Sequence, residues 1–216
     1  MTDTSLIRLM TWLSPAFPIG GFAWSNGLET ACQNGSVADV ESLRGWIVTS
    51  LEQGAVYNDC ILLAAAHRGD DAILEINDLA LALTGAAERY QETTELGQAF
   101  LTAAQTWTNQ PDELASGPIA YPVSVGWVSA QNDIALNDVL LAFLQSIVSN
   151  QIQVALRLIR LGQQAGVKLL ASLDSTLIEQ AQAAEHSTLD DLGSCSLAID
   201  IASMNHENLP SRIFRS

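Results

Sequence analysis

Positive charge is the scarcest property of this chain. Its 216 residues hold nine Lys and Arg, with Lys168 the single lysine, against 24 Asp and Glu, for a formal net charge of −15. Nucleic-acid binding draws its affinity from cationic side chains that displace counterions from phosphates, so the composition argues against DNA and RNA as partners. Cysteine is as sparse. Cys32, Cys60 and Cys195 are odd in number, far apart and without a C-x-x-C, which leaves no disulfide framework and no local thiolate site, and suits a reducing cytoplasm. The start has no basic segment leading into an apolar run, and no stretch approaches about 18 uninterrupted apolar residues, so neither secretion nor a membrane span is expected.

Chemistry-bearing motifs are missing too. His67, His186 and His206 show no H-x-x-x-H or H-x-H spacing; His206, followed by Glu207, is the best candidate ligand, yet no metal site is expected. Gly20-Gly21 is not followed by the Lys and Ser or Thr of a phosphate-binding loop, and no G-x-S-x-G elbow is present. The residues by themselves therefore point to no catalysis and no cofactor. They leave open a helical small-ligand protein or enzyme using acidic residues and His206, or a chaperone that stores metal.

What is present is helical periodicity, with no alternating strand pattern, repeat or linker. Leu6, Leu9, Met10 and Leu13 form a first stripe with Thr4 or Ser5 as cap, and a short helix is expected over 24–33. Val40, Leu43, Ile47 and Leu51 follow a cap at Asp39. Further helices are expected over 57–67, from Ile73 to Leu83, and over 87–107. A turn or two of helix is expected over 123–132, then longer runs from Leu136 towards Gly162 and over 167–184. The fold class is all-α: a single domain, 1–216, a bundle of roughly eight to ten helices, with 185–216 a C-terminal tail.

Four features stand out. Ser14-Pro15-Ala16-Phe17-Pro18-Ile19-Gly20-Gly21-Phe22-Ala23-Trp24 packs prolines, glycines and large aromatics into a connection too apolar for a solvated loop. A second constrained connection runs from Pro111 to Pro122. Glu88, Glu92 and Glu95 align on one helix face, a row of like charge that reads either as a solvated acidic face or as a docking strip for a basic partner. The tail ends Ser211-Arg212-Ile213-Phe214-Arg215-Ser216, placing two of the nine basic residues in the last five positions. Its aromatic flanked by arginines has the composition of a binding hot spot, in a segment able to order on contact with a partner.

The first stretch with Ser25-Asn26-Gly27-Leu28-Glu29, the segment Asp200-Ile201-Ala202-Ser203-Met204 through His206-Glu207, and the closing Ser211 to Ser216 together resemble the urease accessory protein UreF family. The Tyr121-Pro122-Val123 and Glu95-Leu96-Gly97 segments extend the resemblance along the chain. It implies an all-α cytoplasmic chaperone, not an enzyme. Such a chaperone joins a second accessory protein, UreD (also called UreH), and the GTPase UreG on apo-urease and couples GTP hydrolysis to nickel insertion. By the same resemblance, Ser211, Arg212, Ile213, Phe214 and Arg215 would meet the UreD-like partner. Pro18, Gly20, Gly21, Phe22, Trp24, Ser25, Glu29 and Tyr121 would shape the face turned to UreG or to a second copy in a homodimer. Trp24 and Asn26, where relatives place Tyr or His and Gln or His, and Ile119 and Ala120, near an expected histidine, depart from the pattern and receive no nickel role.

Overall fold

The first helix, α1 (Asp3–Trp12), starts where the Thr2 side chain accepts the Ser5 amide, upstream of the cap expected from sequence, and ends at Leu13 ahead of Pro15. The structure is a computed structural model describing residues 2–109, 114, 117–193 and 195–216. Of the connection expected from Pro111 to Pro122, residues 111–113 and 115–116 lie outside the described residues, as does residue 110. The next helix, α2 (Leu28–Gln33), begins later than expected. Gly20, Asn26 and Gly27 all hold positive φ, which breaks the helical run through Trp24. Helix α3 (Val40–Gln53) opens as expected, with Asp39 and Ser42 forming a reciprocal capping box.

Next come α4 (Ala55–Arg68), α5 (Ile73–Ala82), α6 (Ala87–Ala104), α7 (Tyr121–Ala130) and α8 (Leu136–Leu158). The last three are α9 (Gln163–Ser172), α10 (Asp174–His186) and α11 (Leu197–His206). No strand occurs among the described residues, and the all-α bundle expected from sequence is what forms.

Three helices differ from expectation for local reasons. The run expected over 167–184 divides at buried Leu173, flanked by Ser172 and Asp174, residue types that favour caps over helix interiors. Tyr121 and Pro122 open α7 two residues ahead of the helical turns expected from 123, because proline is tolerated in a first turn. Helix α11 lies inside the stretch assigned to the tail. It buries Ile199, Ala202 and His206 while exposing Leu197, Ile201 and Met204, so its apolar residues ring the helix and hide its period.

Helix α7 is the centre of the bundle, packed between α4 and α6. Asn77 of α5 fixes the approach to it: the side-chain amide donates to the Pro118 carbonyl at 3.0 Å and its oxygen accepts the Ala120 amide at 2.8 Å. Thr93 Oγ1 accepts the Tyr121 amide at 3.1 Å. Gly97 of α6 permits the crossing, since a Cβ there would lie 2.0 Å from the Ile119 carbonyl oxygen. An aromatic group, Trp12, Phe17, Phe100, Trp107, Tyr121 and Phe143, links α1, α6, α7 and α8 through tilted and edge contacts with centroids 5.5–6.3 Å apart. By length and composition α8 could cross a membrane. Here it buries Val139, Leu140, Phe143, Leu144, Val148 and Ile152 against the rest of the bundle.

Candidate functional site

After α11 the chain turns at Glu207-Asn208 and bends at Pro210-Ser211, and its last residues meet side chains of α2 and α6. Gly27, at the start of α2, makes the seat for α11: its φ is +76°, and a Cβ there would stand 2.7 Å from the Ser203 amide nitrogen. No side chain fits between the two backbones. The last residues pair with the loop before α2. The Arg215 amide donates to the Ala23 carbonyl at 2.8 Å, and the Ser25 amide donates to the Ser216 main-chain oxygen at 2.8 Å. The Ser25 hydroxyl donates to that same oxygen. At the other end, Gln33 Nε2 donates to the Ser211 carbonyl at 3.1 Å.

Glu29 is the hub of this contact. It is fully buried in α2, with Oε1 accepting the Ile213 amide at 2.8 Å and Oε2 accepting the Phe214 amide at 2.9 Å. His206 Nε2 lies 3.0 Å from the same Oε2, and His206 Nδ1 lies 2.8 Å from Glu88 Oε2. Burial pushes the Glu29 carboxyl upward. The amides of Ile213 and Phe214, with the hydrogen bond and charge of His206, outweigh burial and hold it below the usual carboxylate range. The imidazole of His206 faces a carboxylate at each nitrogen, so its hydrogen bonds tie α11 to α2 and α6. Its two nitrogens, ranked first as ligands from sequence, are both occupied.

The row Glu88, Glu92 and Glu95 is paired along its length with cationic groups of this chain, although Glu95 remains exposed. Glu88 Oε1 accepts from Arg212 Nη1 at 3.0 Å. Glu95 takes Arg215 in a two-pronged pair at 2.6 and 2.8 Å, and that pair holds its carboxyl below the usual range. The basic segment this strip receives is the chain's own C-terminus. The Arg215 guanidinium also lies 4.4 Å from the ring centre of Trp24, and that of Arg157 on α8 lies 5.8 Å from Phe214. Phe214 is buried; Ser211, Arg212, Ile213 and Arg215 are exposed.

Glu92 turns the other way, into a buried group with Arg89 and Asp59. Arg89 Nη1 donates to Glu92 at 3.1 Å and Nη2 to Asp59. Two carboxylates share one cation here, and burial pushes both carboxyls upward despite Arg89. Asn26 connects the group to the tail: Nδ2 donates to Glu92 at 3.1 Å and its amide to Ser216 Oγ at 3.4 Å. This group borders a cavity of about 510 Å³, also lined by Gly21, Phe22 and Tyr121.

The residues singled out from sequence thus fall into sets. Trp24, Ser25 and Glu29 meet the tail; Gly21, Phe22 and Tyr121 line the cavity; Pro18 and Gly20 contact neither. Phe22 is 60% exposed, whereas Phe17 and Trp24 are core. Sequence reading passed over Asp59 and Arg89, and gave no signal for them. Glu88 and Glu95 did carry one, since their acidic spacing matches a tail rich in arginine. Among the described residues, no three His, Cys, Asp or Glu side chains are grouped to hold a metal ion.

The model of the UreF family matches residues 37–174. The chain belongs to the UreF family. It is 47% identical over 215 residues to the urease accessory protein UreF of Rhizobium etli strain CIAT 652, covering 98% of this chain and 96% of that relative. The protein of the same name from Allorhizobium ampelinum strain S4 is 45% identical over 221 residues, with the same coverage. That from Mesorhizobium japonicum is 45% identical over 225 residues and is matched over 100% of both chains. Their names describe an accessory role to an enzyme, not catalysis, in keeping with the reading of this UreF-family sequence. The family match at 37–174 takes in the acidic row and Arg157 but neither end segment; the longer alignments to UreF relatives span almost the whole chain.

Proposed function

We propose that this chain serves urease maturation as a non-catalytic scaffold. With a UreD-like (UreH) accessory protein and the GTPase UreG it assembles on apo-urease in the cytoplasm, where GTP hydrolysis is coupled to nickel insertion. The observation that carries the reading is 45 to 47% identity over nearly the full length with proteins named urease accessory protein UreF. Ser211, Arg212, Ile213, Phe214 and Arg215 form the contact for the UreD-like partner. An anchored Phe214 beside an exposed Ile213 supports this assignment. The loop with Pro18, Gly20, Gly21 and Phe22, backed by Trp24, Ser25, Glu29 and Tyr121, shapes the face for UreG or for a second copy in a homodimer; exposed Phe22 supports that role. The charge of −15 suits partners with basic surfaces.

Deletion of 211–216 tests the reading. The shortened chain is expected to keep its helical circular dichroism but to lose co-purification with the UreD-like protein and activation of urease. Full activation by the shortened chain would refute it.

A further inference from the structure

We propose that Glu29 is the positioning residue of the C-terminal segment, setting the register that turns Phe214 inward and Ile213 outward. The inference rests on the reading of that segment as a partner contact. Consecutive amides of an extended chain point in opposite directions, so two of them converge on one carboxylate only where the chain bends. The chain bends at Ile213 and Phe214, and both amides meet Glu29. A slip of one residue would put Ile213 beneath Arg157, expose Phe214 and draw both arginines off Glu88 and Glu95.

Other contacts select that register less sharply. The pairs Arg212–Glu88 and Arg215–Glu95 include side chains 42–48% exposed, and such pairs are weak and screened by salt. The burial of Phe214 is without direction, and Arg157 stands 5.8 Å from its ring centre, near the limit of a cation–π contact. The bonds from the Arg215 amide to Ala23 and from Ser25 to Ser216 are directional too, but they hold the last two residues. Glu29 takes the two successive amides before them, one on each oxygen, where a glutamine would offer a single acceptor oxygen. His206 lies between the two carboxylates, Nε2 3.0 Å from Glu29 and Nδ1 2.8 Å from Glu88, and holds Glu29 in place.

Amide hydrogen exchange of the full-length chain, read by NMR at Ile213 and Phe214, tests this on Glu29→Gln and His206→Gln. In Glu29→Gln these two amides should exchange roughly tenfold to a hundredfold faster, the scale of losing charge-assisted bonds, while amides of α4 and α7 keep their rates. His206→Gln, which leaves the carboxylate in place, should give a smaller acceleration at the same two amides. Unchanged rates at Ile213 and Phe214 in Glu29→Gln would overturn the proposal. So would equal acceleration throughout the bundle, which would mean a general loss of stability. Capture of the UreD-like partner is measured alongside. Failure of the unaltered chain to capture it would count against the proposed function, and the exchange result would still decide the role of Glu29.

Discussion

Replacing Gly97 with alanine should destabilise the protein, although the same replacement at Gly45 should stabilise it. Both glycines lie inside helices, where alanine is favoured by about 1 kcal/mol. At Gly45 a new Cβ meets nothing within 4 Å, so that gain is kept, raising the melting temperature by about 2–4 °C for a chain of this length. At Gly97 the Cβ would stand 2.0 Å from the Ile119 carbonyl oxygen and 2.9 and 3.0 Å from the carbonyl carbons of Ile119 and Ala120. These are backbone atoms and cannot swing aside, so the approach to α7 must move by about an ångström or more. That movement strains the bonds from the Ala120 amide to Asn77 and from the Tyr121 amide to Thr93. Overpacking costs about 1–3 kcal/mol and each strained bond about 1 kcal/mol, against the same helix gain. A net loss of about 2–4 kcal/mol is expected for Gly97→Ala. Urea and thermal unfolding of both variants by circular dichroism measures it. Equal or greater stability of Gly97→Ala relative to Gly45→Ala would refute the close crossing of α6 beneath the 119–120 segment.

Arg89→Met removes the cation shared by Asp59 and Glu92 and should cost about 3 kcal/mol or more at pH 7. Burial already pushes both carboxyls up, so the deficit should shrink when denaturant unfolding is repeated at pH 5; a deficit that grows on acidification would contradict the shared-cation arrangement. Tail docking should respond to pH in the opposite sense. The Glu29 and Glu95 carboxyls are held below their ordinary value of 4.5, so their contribution is complete above that value and is lost as pH falls through the depressed native values. The amide shifts of Ile213 and Phe214 should stay flat from pH 7 to about 5 and move below about 4.5. Movement confined to the range above pH 5 would argue against Glu29 as the group that titrates.

Much of the fold was legible in the sequence because helices announce themselves locally. The cap at Asp39 and the long stripe of α8 each depend on residues within a few positions of one another, and each formed where its pattern stood. The failures share a cause. Leu173 divides a helix whose apolar spacing continues across the break, and α11 has apolar side chains on every face, so periodicity marked neither. The loop before α2 was legible as constrained, but its positive φ at Asn26 and Gly27 was not, and α2 was expected too early.

The site was half legible. Glu88, Glu92 and Glu95 lie on one helix, so their alignment was visible, yet spacing could not show that Glu92 turns in to Arg89 while its neighbours turn out to Arg212 and Arg215. The choice depends on Asp59 and Asn26, which arrive from other elements.

An all-α chain, a constrained proline and glycine loop near the start, a basic end to an acidic protein, and the likeness to UreF that those segments carry were all readable from the residues alone. Each is a property of neighbouring residues. Only the tertiary structure decided that the acidic row and the basic end face each other, and that Glu29 gathers the amides of Ile213 and Phe214 from 184 and 185 positions away. Local pattern sets which backbone conformations are favourable, whereas a buried carboxylate finds its donors only after helices far apart in sequence have packed and expelled the water between them.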